Sequence, residues 1–195
     1  MNVIFYFAWM EEFFEFIRSY IGLSAEGEDS IRALTKEITK QKGDLIAEEG
    51  KRSKYMYFLA SGVARTYLYL NGKDITHWIS LENSLITSWH SYVLEKPSSE
   101  YVELTENSKL VQISKEDWET LYQKHPELER FSRLVLEQEM AIIDEFYKGY
   151  YFLTAKQKYE LLVEAIPEIT QRANLGHIAS MLGITQETLS RIRGK

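Results

Sequence analysis

The reading of the chain is decided near its C-terminus, by Asn174-Leu175-Gly176-His177-Ile178-Ala179-Ser180-Met181-Leu182-Gly183-Ile184-Thr185-Gln186-Glu187-Thr188-Leu189-Ser190-Arg191-Ile192-Arg193. Ile178, Ala179 and Leu182 recur at helical spacing, and Ala179 is small enough to let a second helix cross closely. Gly183 suits the left-handed conformation that closes a helix. Thr185 is a good cap for the next one, and Glu187 in its first turn favours the positive end of the dipole. Two short helices joined by a glycine turn make a helix–turn–helix.

At 100° per residue, Thr188, Leu189 and Ile192 of the second helix fall together and face inward. Gln186, Glu187, Ser190, Arg191 and Gly194 spread over the opposite side, with no large hydrophobe among them. Such a face suits a major groove: Arg bonds guanine, Gln reads adenine and Glu accepts from cytosine. Gln186, Glu187, Ser190 and Arg191 are therefore the expected base-reading residues. Thr185, Arg172, Arg193 and Lys195 are expected at the margins, where phosphates lie. On an isolated surface helix, Glu187 and Arg191 would instead be a solvated i,i+4 pair of minor energetic weight.

Charge supports the first view. The 195 residues carry a net charge of −6, yet the segment from Thr170 to Lys195 holds four basic residues and one acid, Glu187. A basic module on an acidic body is the pattern expected of a nucleic-acid contact. The sequence has no cysteine, which excludes disulfides, thiolate zinc and cysteine-held iron–sulfur clusters.

Upstream, between about Ile38 and Ser114, the chain reads as short strands rich in β-branched and aromatic residues: Leu45-Ile46, Tyr55–Leu59, Val63–Leu70, Ile75–Ser80, Leu85–Trp89 and Tyr101–Leu104. Turn residues separate them, and Asn71-Gly72 is a tight-hairpin signal. Many short strands imply a sandwich, barrel or jelly roll. Ser114 to Asp117 then has the form of a capping box, and Pro126 suits the first turn of a new helix. Nothing breaks that helix before Gly149, the expected hinge. Leu128, Phe131, Val135 and Ile142 lie along its apolar stripe, too long for so small a body to bury, so they are expected to pack on a symmetry mate, the alternative being that the helix packs entirely on the barrel. Thr154 to Gln157 opens a further helix, ended near Pro167. The resulting division is 1–125, N-terminal helices and β-roll; 126–149, dimerisation helix; and 150–195, helix–turn–helix.

The longest uncharged apolar run, Val3 to Met10, has eight residues, against roughly 20 for a membrane span. It lacks a basic flank and a cleavage site, so neither signal peptide nor membrane is expected, and the cytoplasm is the default address. Phe13, Phe14, Phe16, Ile17 and Tyr20 follow at helical spacing and predict an N-terminal helix packed on the body. Met10-Glu11-Glu12 is a more usual helix start, which makes residues 1–9 an upstream extension in this reading.

The order of these parts resembles the Crp/Fnr family of bacterial transcription regulators over roughly residues 24–195. The resemblance is carried by Lys42-Gly43-Asp44, Glu48-Glu49-Gly50, Tyr57 to Gly62, Asn71-Gly72-Lys73 and, most specifically, Ile178 to Arg193. It implies an α+β fold: a cyclic-nucleotide-binding-like β-roll, a long dimerisation helix and a C-terminal helix–turn–helix. Double-stranded DNA and a second copy of the chain are the implied partners, with RNA polymerase a further candidate. Gln186, Glu187 and Arg191 fall on the family's base-reading positions.

Two departures from the family stand out. Where cyclic-AMP-binding members carry Gly-Glu and Arg-Ser pairs, this chain has Thr87-Ser88 and Ser98-Ser99. Losing the Arg removes the bidentate partner of the cyclic phosphate, so cyclic AMP is not an expected ligand and the effector is unknown. The family's β wing after the recognition helix has no counterpart before Lys195, which implies fewer backbone contacts and a shallower salt dependence. His77, His90, His125 and His177 have no metal-site spacing, and no cofactor or catalytic constellation is expected. Some of the aromatic residues Tyr55 to Tyr92 are candidates to line a different ligand pocket. An interaction module with a vestigial DNA-binding end, or a jelly-roll enzyme, are the competing readings.

Overall fold

A computed structural model describes residues 8–194. The chain opens with α1 (Ala8–Arg18) and α2 (Ala25–Leu34), the latter capped by Ser24. Eight strands follow: β1 (Lys36–Lys40), β2 (Leu45–Ala47), β3 (Tyr55–Ser61), β4 (Ala64–Leu70), β5 (Lys73–Ser80), β6 (Ser84–Ile86), β7 (Tyr101–Leu104) and β8 (Ser108–Ser114). They form two antiparallel sheets, ordered β1-β8-β3-β6 and β2-β7-β4-β5. Tyr57, Leu59, Ala64, Val102, Leu104 and Leu110 fill the space between them. This is the expected jelly-roll body.

β3 shows why simple alternation fails here: Met56 through Ala60 are buried without a break. Tyr57 and Leu59 look into the roll, while Met56, Phe58 and Ala60 face a second core outside it. There the Phe13 and Phe58 rings lie tilted with centroids 5.0 Å apart, and Trp118 and Phe131 complete an aromatic cluster. The N-terminal helix is thus packed on the body as its spacing predicts. Met10 N donates to Glu37 Oε1 at 2.8 Å, and Lys109 Nζ sits 4.9 Å above the Trp9 ring, so residues 8 and 9 belong to α1. The rest of the expected extension lies outside the described residues, as does Lys195.

The β4–β5 hairpin turns at Asn71-Gly72, with φ of 53° and 77°, as that dipeptide predicts. Other strands differ from expectation. Leu85–Trp89 splits into β6 and a short helix, α3 (Trp89–Leu94), begun at Ser88. β1 and β8 are additional, β8 lying between β1 and β3.

Ser114 caps α4 (Lys115–Lys124), accepting from Asp117 N at 3.0 Å. Pro126 then begins α5 (Pro126–Phe152), 27 residues, about 40 Å long. The helix does not end at Gly149; that residue is buried within it, and Tyr150 continues onto the C-terminal block. Leu128, Phe131 and Val135 are not a dimer seam. They are buried in their own chain against α1 and α4, because α1 supplies the surface that the helix needs. Ile142 is exposed on the same side of the helix.

α6 (Ala155–Ala165) opens on a complete capping box from Thr154 and Gln157. α7 (Ile169–Arg172), α8 (Leu175–Met181) and α9 (Gln186–Arg193) complete the chain. Their core of Ile169, Ile178, Ala179, Met181, Leu182 and Leu189 also contains Val63 and Ile79 of the roll. The C-terminal helices are therefore docked on the β-roll, and Ser180 Oγ donates to Thr76 O at 3.2 Å across the junction. Among the described residues, no helix is long and apolar enough to cross a membrane.

Candidate nucleic-acid interface

α8 and α9 form the expected helix–turn–helix. Gly183 turns the chain at φ 66°, and Thr185 Oγ1 accepts from Thr188 N at 3.2 Å to start α9. A Cβ on Gly183 would lie 2.6 Å from the Tyr150 hydroxyl, so both conformation and space require glycine. Leu189 is fully buried, with Thr188 and Ile192 half-buried beside it. Gln186, Glu187, Ser190 and Arg191 are exposed together, as the helical projection predicts.

Glu187 and Arg191 are not joined as a salt bridge. Arg191 Nη2 donates instead to Thr188 Oγ1 at 3.4 Å. The Glu187 carboxyl is held below its usual value by backbone and Thr185 hydrogen bonds, with a smaller contribution from Arg191. The tip thus presents an ionised acceptor and a guanidinium, both open to a ligand. Thr185 and Arg193 are exposed at its edge.

Arg172 departs from expectation. Its guanidinium is held by two carboxylates: Nη1 and Nη2 reach Glu82 at 2.5 and 2.7 Å, and Nη2 and Nε reach Glu106 at 2.7 and 3.2 Å. Glu82 in turn accepts from Gly62 N at 2.8 Å. Burial alone would raise the Glu82 carboxyl, but the bonds from Arg172 and Gly62 outweigh it and leave it lowered. Both acids lie in turns of the β-roll, so Arg172 clamps α7 to that body and is not free for a phosphate here.

The four effector-pocket positions part company. Thr87, Ser88 and Ser98 are buried, while Ser99 is exposed. Ser98 Oγ donates to Ser88 Oγ at 2.9 Å, and Ser88 Oγ donates to Glu100 Oε1 at 2.8 Å. Glu100 also meets His77 Nε2 at 3.0 Å. Burial would raise the Glu100 carboxyl; the bonds from His77 and Ser88, aided by the charge of His77 and His90, lower it. The sequence reading gave no role to Glu100, the half-buried anion that fills the place of the absent Arg. The signal available was Glu100 itself, two residues from Ser98.

His125 is buried and bonds Ser30 Oγ at 2.9 Å, and His177 is half-buried near Arg65. Among the described residues no group of three or more His, Cys, Asp or Glu is placed to hold a metal.

Residues 37–125 match the cyclic nucleotide-binding domain family. The matched segment is the β-roll with α3 and α4, and a long helix and a helix–turn–helix follow it. The order of roll, long helix and C-terminal helices is similar to that of several solved structures. The catabolite activator protein of Thermus thermophilus is 20% identical, covering 90% of this chain and 84% of its own, with a TM-score of 0.57. FixK2 of Bradyrhizobium japonicum is 18% identical, with coverages of 82% and 83% and a TM-score of 0.67. A protein from Eubacterium rectale, described as a transcriptional regulator of the crp/fnr family, is 16% identical, with coverages of 89% and 85% and a TM-score of 0.66. No curated protein matches the sequence.

Proposed function

We propose that this chain is a homodimeric, DNA-binding transcription regulator of the Crp/Fnr type, and not an enzyme. The observation that carries the reading is α9, whose exposed Gln186, Glu187, Ser190 and Arg191 stand over a fully buried Leu189. Thr185 and Arg193 are proposed to meet the phosphates beside them, with Lys195 beyond the described residues. Two such helices would enter successive major grooves about 34 Å apart on a near-palindromic site.

Dimerisation is proposed through a different stripe of α5 from the one its buried residues define. Leu136, Met140, Ile143, Tyr147 and Tyr151 follow one another at steps of four, three, four and four. Leu136, Met140, Tyr147 and Tyr151 are exposed, Met140 and Tyr151 by 65% and 70%. That spacing is a short coiled-coil seam, and a second copy of α5 is its complement. Activity is proposed to be independent of cyclic AMP, because Ser88, Ser98 and the anionic Glu100 suit a phosphate poorly.

The test is selection from random duplexes at two salt concentrations, with Arg191→Ala alongside. The wild type should enrich a two-fold symmetric sequence. Arg191→Ala should lose about 1–3 kcal/mol of discrimination at one base pair of each half-site. No enrichment by either protein refutes the reading.

A further inference from the structure

A cavity of about 280 Å³ lies at the junction of β5, α5, α6 and α8. Trp78, Ile142, Phe146, Leu162 and Met181 supply its apolar walls. Trp78 and Phe146 meet edge to face at 5.4 Å, which gives the cavity a rigid aromatic side. It shares no lining residue with the Ser88–Ser98–Glu100 cluster and is walled by the helical block as well as the roll.

One cation stands in this wall. Lys158 is half-buried, its ammonium 4.5 Å over the Tyr150 ring and 3.3 Å from Leu182 O. It makes no ion pair among the described residues, and an ammonium has three protons to donate. The only acid in the lining, Glu145, is exposed to solvent. An apolar cavity with one half-buried ammonium lacking a counter-charge is complementary to a flat apolar body bearing one anionic group. The volume limits that body to one or two rings.

We propose that this junctional cavity binds a small aromatic carboxylate, its ring against Trp78 and Phe146 and its carboxylate on Lys158. Because the walls come from both the roll and the helical block, occupancy favours their docked arrangement. The inference does not depend on α9 reading DNA, since the binding is measured on the protein alone.

The experiment is calorimetric titration of the full chain with indole-3-acetate and, separately, with neutral indole. Indole-3-acetate should bind one to one with Kd of about 0.1–1 mM, the range open to a ligand of its size. Lys158→Met should weaken it about tenfold and leave indole nearly unchanged. Ala165→Trp, at the rim, should weaken both ligands, and its thermal unfolding should match the wild type. No saturable binding of indole-3-acetate, or affinity unaltered in both variants, overturns the proposal.

Discussion

The two halves of α5 are one unbroken helix in opposite surroundings. From Pro126 to Val135 its apolar residues Leu128, Phe131 and Val135 are sealed under α1 and α4. Beyond Val135 one side carries the C-terminal helices, and another side leaves Leu136, Met140, Tyr147 and Tyr151 in solvent. Equal hydrophobicity has two different meanings along one rod. In the first half it closes the chain's own core, and in the second it stays exposed to solvent.

Four variants bear on that contrast and on the block beside it. Truncating the sealed half should have the largest effect: Phe131→Ala removes a fully buried ring and should cost about 3–5 kcal/mol, read by denaturant unfolding. Leu136→Glu combined with Met140→Glu should leave the fold's circular dichroism intact and give a single-chain mass by light scattering. An equal loss of stability in both variants would erase the distinction between the halves.

The third variant tests how firmly the helical block is tied beside the open half. Arg172→Met breaks both carboxylate contacts and should cost about 2 kcal/mol, since hydrogen bonds to charged groups are worth roughly 1.5–3 kcal/mol. Amide exchange should quicken in α7 and α8 and stay slow in β3. The wild-type clamp has its own pH limit. Glu82 is lowered in the folded protein, so its stabilising effect is present above the ordinary carboxylate value and is lost as pH falls through the folded one.

The smallest effect concerns His177 in α8. Desolvation, and then the charge of Arg65, push its pKa below the usual 6.5. The unfolded chain therefore takes up a proton first as pH falls, and stability drops as pH falls through the usual histidine value. His177→Gln should flatten that slope in thermal melts at and below that value. An unchanged slope would assign it to another group.

Much of this was legible because it is local. Asn71-Gly72, Gly183, and the caps at Ser114, Thr154 and Thr185 each act within a few residues, and each forms as its sequence predicts. The face of α9 was readable for the same reason, since one buried Leu189 orients the whole turn. β1 was hidden because an edge strand beginning and ending in lysine shows little apolar pattern. β8 owes its place to partners at 36–40 and 55–61, far along the chain. Arg172 finds Glu82 and Glu106 across 90 and 66 residues, so no neighbouring signal marks it as a clamp. The misassigned Leu128, Phe131 and Val135 teach the same point: periodicity identifies an apolar stripe, and only tertiary structure says what covers it.

The tyrosine seated against Gly183 has a mechanical consequence. Tyr150 belongs to the last turn of the 40 Å rod and touches the bend from which α9 departs. With no side chain between them to act as a cushion, a twist of the rod's end is geared directly to the heading of α9. Whatever turns the rod's end therefore also turns α9.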